Sequence, residues 1–431
     1  MSEPTASPLQ RRVYPLDANE LTEEQIAVAF AMTSRRPDPF DEIASQVSRE
    51  KAADFHERWV LGYGHSSVAE HAVLHLAVEN VSRLACDTLE DNRLASYTEK
   101  SSRYQVLDQG AYHFPTELET LPELGKLYTE TCNSLFGSYN HYIDVCMAHL
   151  RSTVPQREGE RNSAYTLRLR REVTDSCRSI LPASAFTNVG VTANARVLEH
   201  AISKLRSSQL AEERELGSDL LEQGRQITPT LIKYAEANEY LQCSAEQQTA
   251  LSLERVQDPR SGPEKVSLVC WDERATEKLA AALLYRHSSL GYEDIQSQVQ
   301  GLDELARHEI IRRCLEKLGP HDAPLREFEL VDYTFEFLLD YGAYREFKRH
   351  RMQSYLTQSL TVARGYSIPA LIGDAGLEEE FIAAMDMVGD THARLLEQIP
   401  IVASYVVTHA HYRRVLTKIN LRECYHLFKL R

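Results

Sequence analysis

Short apolar runs alternate along this chain with longer stretches of helical periodicity. Residues 72–78 and 333–338 are short apolar runs, which are typical of buried or half-buried strands. Helical spacing and strong helix formers cover longer ranges, namely 119–152, 160–181, 196–240 and 375–399. Strands interspersed among long helices predict an α+β fold class.

The same features recur in the same order in both halves of the chain. The matched segments include 25–31 with 279–285, 45–47 with 297–299, 64–71 with 320–328, 82–83 with 344–345, and 194–206 with 420–431. An ordered set of matches predicts an internal duplication. We therefore expect two homologous α+β domains, residues 20–245 and 270–431, each with a small sheet flanked by long helices. The polar stretch 245–270 contains Pro and Gly, as linkers do.

Bulk composition narrows the class of protein. The hydrophobic fraction of 43% is ordinary for a soluble globular chain, and the net charge of −15 disfavours broad nucleic-acid binding. A local arginine cluster would still suit a small anion. No apolar run approaches the ~20 residues that span a bilayer. Scattered cysteines without a Cys-x-x-Cys pair predict a reducing, cytoplasmic setting.

Each half carries an incomplete copy of one longer motif. The second half has Arg349-His350-Arg351 followed by Ser354. The first half has Glu99 and the segment 101–104 (Ser-Ser-Arg-Tyr), and keeps only Arg93 of the triplet. Both copies fit, in part, the template Arg-His-Arg-x-x-Ser-x-Asn-Glu-x-Ser-x-Arg-Tyr. This template resembles the signature of flavin-dependent thymidylate synthases, and the resemblance extends over residues 20–240 and 275–431.

The resemblance implies roles for individual residues. Arginine suits a nucleotide phosphate because its planar donors meet two oxygens at once. The implied nucleotide-binding residues are Glu99, Ser101, Ser102, Arg103, Arg178, Arg206 and Arg349, with Arg103 and Arg178 nearest to catalysis. The implied flavin-binding residues are His71, Arg93, Asn194, Arg196, Arg349, His350, Arg351, Asn420 and Arg422.

Departures from the family pattern predict one working composite site. Leu356 and Thr357 replace Asn-Glu, Phe328 replaces a histidine, and Ser404 or Tyr405 stands where a nucleotide-binding arginine is expected. We expect a composite site that combines the triplet with Ser101, Arg103 and Arg178. The sister site, which combines Asp91 and Asn92 with Thr361 and Tyr405, is expected to be inactive.

The resemblance also implies a reaction and partners. It implies methylation of deoxyuridylate (dUMP) with FAD, methylenetetrahydrofolate and NADPH, by a homodimer that mimics the tetramer of the family. Two alternatives stay open: a flavoenzyme acting on another pyrimidine nucleotide, and a non-catalytic nucleotide- or flavin-binding protein. His65 and His71, with Glu70, could suggest a metal site. No metal is expected, because no third ligand lies at convincing spacing from the two histidines.

Overall fold

The chain forms two compact units, each assembled from separate segments. The computed structural model describes residues 12–16, 20–61, 66–255 and 264–430. Within these, unit 1 takes residues up to 81, 88–100 and 187–255, and unit 2 takes 82–87, 101–186 and the part of 256–431 that is described. Of the helices in these ranges, none is both long and apolar enough to cross a membrane.

The described part of the chain contains helices and strands with the following bounds. The helices are α1 (Glu23–Thr33), α2 (Phe40–Ser45), α3 (Arg49–Phe55), α4 (Arg83–Leu89), α5 (Pro122–Thr153), α6 (Asn162–Cys177), α7 (Ala195–Arg206), α8 (Ala211–Ile227), α9 (Glu239–Arg255), α10 (Ala275–Tyr285), α11 (Tyr292–Gln300), α12 (Glu304–Leu315), α13 (Tyr341–Phe347), α14 (Ala370–Asp374), α15 (Glu378–Gln398) and α16 (Leu421–Leu430). The strands are β1 (Val73–Ser82), β2 (Ser96–Glu99), β3 (Phe186–Asn194), β4 (Val266–Trp271), β5 (Asp332–Asp340), β6 (Gln353–Thr357) and β7 (Tyr412–Asn420).

Both halves of the chain build their sheet in the same strand order. The three-stranded sheet of the first half runs β1-β3-β2. The second half repeats this order as β5-β7-β6 and adds β4 at the edge. In the second sheet Thr417 on β7 lies opposite both Phe335 and Tyr355, so β7 is central and antiparallel to its two neighbours. The α+β fold class is therefore confirmed, and the internal repeat stays a prediction with which this strand order agrees.

The caps of two equivalent helices correct one sequence match. Ser82 caps α4 by accepting a hydrogen bond from the backbone of Ala85 at 2.9 Å, and Asp340 caps α13 in the same way through Ala343 at 2.8 Å. This register pairs Arg83 with Tyr341. Matching residues 82–83 with 344–345 was therefore wrong by about one helical turn.

Most predicted elements are present, with two differences. The predicted strands at 72–78 and 333–338 and the helices at 119–152, 160–181 and 375–399 are confirmed by β1, β5, α5, α6 and α15. The stretch 196–240 is divided into α7 and α8, and α8 ends before Pro229, which cannot continue a helix. Much of the predicted linker is helical, because α9 is rich in Glu, Gln, Ala and Leu; residues 256–263 lie outside the described part.

The core of unit 2 joins helices from both halves of the sequence. Helices α5 and α6 pack together, and α15 packs against α5. Tyr142 and Phe381 stack with their ring centres 6.3 Å apart, and the hydroxyls of Thr131 and Thr391 share a hydrogen bond of 2.8 Å. The two halves of the sequence thus share one hydrophobic core in this unit.

Two backbone hydrogen bonds bring equivalent positions of the halves together in unit 2. The amide of Ala183 donates to the carbonyl of Val407 at 2.8 Å, and the amide of His409 donates to the carbonyl of Leu181 at 3.0 Å. Between them Pro182 and Thr408 form an isolated antiparallel bridge. The exchange is symmetrical, with each half giving one donor and one acceptor.

A close approach of α7 and α8 in unit 1 depends on Gly217. A Cβ atom there would lie 3.0 Å from Cβ of Leu205 and 3.1 Å from the backbone nitrogen of Arg206, too close for the helices to keep their spacing. Gly217→Ala should therefore lower the free energy of unfolding by about 1–3 kcal/mol. Chemical denaturation measures the change. Gly389→Ala on α15 is the matched control, because an added Cβ there meets no atom within 4 Å. The control should be neutral or stabilising, and equal destabilisation of both variants would contradict this account.

Candidate functional site

Three arginines and two carboxylates from both halves of the sequence form a chain of ion pairs in unit 2. Arg178 lies 2.7 Å from Asp175, and Arg103 lies 3.3 Å from the same Asp175 oxygen. Arg103 also lies 3.5 Å from Glu346, which in turn lies 3.8 Å from Arg349. We call these five residues and Ser102 the composite cluster. The cluster carries a net charge of +1, which favours an anionic ligand.

Local structure places each arginine of the composite cluster. Arg103 lies in the loop after β2, Arg178 caps the C-terminal end of α6, and Arg349 follows α13. The Arg178 guanidinium donates to the hydroxyl of buried Ser102 at 3.4 Å. Burial lowers the pKa of Arg178, while the nearby Asp175 carboxylate opposes that shift. The structure thus brings together Ser102, Arg103, Arg178 and Arg349, and their role in a binding site stays a prediction.

A buried layer of unit 2, whose arrangement the sequence did not predict, surrounds the end of α6. His409 donates from Nδ1 to the carbonyl oxygen of Arg178 at 3.2 Å. Its pKa is held well below the ordinary value by burial and by the positive charges of Arg83, Arg345 and Arg178. His409 is therefore neutral near pH 7. Arg345 belongs to the matched segment 344–345, but its burial on α13 was not predicted from the sequence.

A second charged group in unit 2 is fully buried and centres on Asp87. Its carboxylate accepts a hydrogen bond from Lys348 at 2.5 Å and another from Arg413 at 2.9 Å. Burial alone would raise the pKa of Asp87, but the charges of Lys348, Arg413 and Arg345 lower it to about 2. Arg413 also donates to Thr357 at 3.0 Å, a position where the family pattern has glutamate. These ion pairs connect α4, the residue after α13 and β7.

Predicted flavin residues of unit 1 serve its local structure. Asn194 caps α7 by accepting from the backbone of Val197 at 2.9 Å, and Arg196 forms an ion pair with Glu70. The His71 ring lies 5.0 Å from the Phe30 ring, beside a cavity of about 520 Å³. Arg93 is solvent-exposed.

Two predicted nucleotide residues also belong to unit 1. Arg206 donates to the carbonyl of Ala235 and pairs with Glu236, both at 2.8 Å. Glu99 accepts a hydrogen bond from the hydroxyl of Thr187 at 2.8 Å. Both side chains thus have protein partners within unit 1. Ser101, half-buried, opens the Ser-Ser-Arg loop in unit 2.

The second half repeats the asparagine cap and the arginine–glutamate pair. Asn420 caps α16 by accepting from the backbone of Glu423 at 2.8 Å, and Arg422 pairs with Glu329 at 2.6 Å. His350 is buried, and its Nδ1 lies 3.2 Å from a Glu423 oxygen. Arg351 is exposed. The predicted cofactor residues of this half, apart from the two exposed arginines 349 and 351, thus hold the fold around α16.

A cavity in unit 2 adjoins these residues. It measures about 890 Å³. Asn420, Arg422, Met352, Glu423 and His426 are part of its lining. A cavity of this size accommodates a substantial small molecule.

Comparison with known proteins places these observations among relatives. The chain matches the family described as thymidylate synthase complementing protein over residues 16–230 and 268–431. It is 31% identical to a UPF0159 protein of Chlamydia pneumoniae, across 89% of this chain and 75% of that protein. It is 26% identical to a flavin-dependent thymidylate synthase of Clostridium tetani, across 49% of this chain and 82% of that enzyme. The solved flavin-dependent thymidylate synthase of Helicobacter pylori, complexed with FAD and dUMP, matches 48% of this chain and 92% of its own, at 18% identity and a TM-score of 0.32.

Proposed function

Because the chain belongs to the family of thymidylate synthase complementing proteins, we propose that it binds a pyrimidine nucleoside monophosphate at the composite cluster and acts on it with FAD. The single observation that supports this most is the contact between Arg103 and Glu346, because Glu346 also pairs with Arg349 and so joins the Ser-Ser-Arg loop of one half to the Arg-His-Arg segment of the other. A nucleotide phosphate would replace Asp175 or Glu346 as the partner of these arginines.

The arginines suit the chemistry as well as the binding. Guanidinium groups fixed by their neighbours are preorganised donors for a phosphate and for negative charge that develops on a pyrimidine ring. Arg178 is held by Asp175 and Ser102 before any ligand arrives, so little reorganisation is needed. Neutral His409 orients the Arg178 backbone without adding charge to the site.

FAD, when bound, supplies the hydride for reductive methylation of dUMP, with methylenetetrahydrofolate as the carbon donor and NADPH as the reductant. The exposed Arg349 and Arg351 are the residues of this chain that we assign to its diphosphate, since both are cationic and reach solvent. Relatives named flavin-dependent thymidylate synthase match about half of the chain, which supports this assignment. The remaining flavin contacts implied by the resemblance stay predictions.

A second candidate is a nucleotide-binding protein without flavin chemistry. The observation that favours it is that His350, Asn420 and Arg422 are committed to Glu423, the α16 cap and Glu329. Turning His350 toward a flavin would break a hydrogen bond between two buried polar groups, which is costly. This candidate keeps the composite cluster as the nucleotide site.

The test is to purify the full chain, record its flavin absorbance, and titrate it separately with FAD and with dUMP. We expect saturable binding of both ligands and formation of thymidylate when methylenetetrahydrofolate and NADPH are added. Binding of dUMP without any uptake of FAD would overturn the flavoenzyme and support the second candidate. Failure to bind dUMP, deoxycytidylate or thymidylate would overturn both.

A further inference from the structure

Two histidines and a glutamate meet at the base of α16 in unit 2. Nδ1 of His350 and Nδ1 of His426 lie 3.2 and 3.3 Å from the same Oε1 atom of Glu423. One ligand atom from each of the three residues lies within 4.8 Å of the other two. Glu423 and His426 are three positions apart on α16, a spacing that puts both side chains on one helix face.

The two nitrogen–oxygen separations, 3.2 and 3.3 Å, match the spacing of neighbouring ligand atoms in a transition-metal site. Metal bonds of about 2.0–2.1 Å in tetrahedral geometry put neighbouring ligand atoms about 3.3 Å apart. Two imidazoles and one carboxylate are a donor set used for zinc and for non-haem iron, with one or more positions left open. The cavity of about 890 Å³ is lined by Glu423 and His426, so water or a ligand can reach the open positions.

The burial of two of the three residues distinguishes this group from a surface cluster. The side chains of His350 and Glu423 are 2% and 7% exposed, whereas that of His426 is 56% exposed on the cavity side. Two ligands are therefore fixed by the fold, and the third lies where an ion would enter. Fixed ligands lower the entropic cost of assembling a site.

The first half of the chain lacks this arrangement at the equivalent positions. In the register set by Asn194 and Asn420, Val197 stands where Glu423 stands, and His200 where His426 stands. Asn92 corresponds to His350 in the motif. The cluster therefore belongs to the second half alone and is not needed to form the helix.

We propose that His350, Glu423 and His426 bind one divalent transition-metal ion, such as Zn²⁺ or Fe²⁺, whose open positions face the cavity. His350 is then a metal ligand instead of a flavin contact. The proposal is independent of the nucleotide site, because none of these residues belongs to the composite cluster.

The experiment uses the full, untagged chain, stripped with a chelator and titrated with Co²⁺, whose d–d absorption in the visible range reports binding to nitrogen and oxygen ligands. We expect one Co²⁺ per chain, displaced by Zn²⁺. His426→Gln should weaken Co²⁺ binding by about 100-fold or more, since even lost outer contacts of metal ligands cost 10–100-fold. His200→Gln, at the equivalent exposed position of α7, should bind Co²⁺ as the unaltered chain does.

His426→Gln is the deciding variant. Because the His426 side chain is exposed, the substitution is not expected to unfold the chain, so weaker Co²⁺ binding reports the loss of the ligand. Thermal melting gives a second readout: saturating Zn²⁺ should raise the melting temperature of the unaltered chain and not that of His426→Gln. If no stoichiometric Co²⁺ binding occurs, or if His426→Gln binds like the unaltered chain, the histidines only donate hydrogen bonds to Glu423 and the proposal is wrong.

Discussion

Arg178→Ala should lower the affinity for dUMP by about 10–150-fold. A hydrogen bond to a charged group contributes about 1.5–3 kcal/mol, and every 1.4 kcal/mol is a factor of ten in the dissociation constant. Arg178 is the most enclosed arginine of the composite cluster, with a side chain 18% exposed against 37% for Arg103 and 51% for Arg349. Its contact with a phosphate would therefore be the least screened by solvent. Equilibrium titration with dUMP measures the effect.

The matched control for this variant is Arg170→Ala. Arg170 lies on the same helix, α6, and is exposed. Arg170→Ala removes the same charge from the chain as Arg178→Ala. Comparing the two variants therefore separates a specific contact with the nucleotide from a general loss of electrostatic attraction. Unchanged nucleotide affinity in Arg178→Ala, or equal losses in both variants, would show that the composite cluster is not the nucleotide site.

Asp87→Asn should destabilise the protein at pH 7 by about 3–5 kcal/mol. The substitution leaves the buried charges of Lys348 and Arg413 without their anion, and breaking a buried pair is far more costly than breaking an exposed one. Because the folded-state pKa of Asp87 is about 2, below its ordinary value of 3.8, the stabilisation is present above pH 4 and is lost as the pH falls toward 2. Chemical denaturation at pH 7 and pH 3 should show a smaller difference in stability between the two proteins at the lower pH, because part of the stabilisation is lost there.

Glu309→Gln is the control for the Asp87 experiment. The pKa of Glu309 is also about 2, held down by hydrogen bonds from Arg312 and Arg313, but the group lies on the surface of α12. Exposed ion pairs contribute little to stability because solvent and salt screen them. If Glu309→Gln lowered the free energy of unfolding as much as Asp87→Asn does, burial would not be the source of the effect.

The repeated segments predicted the strand order well. Segments that match in the same order along a chain are expected to form the same elements in the same order. Matching segments in matching order required matching strand order, and β1-β3-β2 and β5-β7-β6 fulfil it. The sequence also predicted that Arg103, Arg178 and Arg349 would meet, since each half had kept a different part of one motif. The division into domains at 245–270 and the roles of the site residues stay predictions.

What the sequence could not predict depends on partners distant along the chain. His350 looks like its family counterpart in sequence, yet it lies against Glu423, 73 residues later. Asp87 had no local signal because Lys348 and Arg413 come from the other half of the chain. The match of residues 82–83 with 344–345 failed because a shift of about one helical turn keeps side chains on the same helix face, so local similarity does not fix the register.

The bridge between Pro182 and Thr408 has a consequence for how this chain can change over generations. In a dimer of identical subunits, a residue beside the symmetry axis faces its own copy, so every substitution there occurs twice and must be compatible with itself. Here the two positions are encoded separately. Proline, which has no amide hydrogen, occupies one position, while at the other the amide of Thr408 donates a hydrogen bond to Nδ1 of His411 at 3.2 Å. Each side of this bridge can therefore be altered alone.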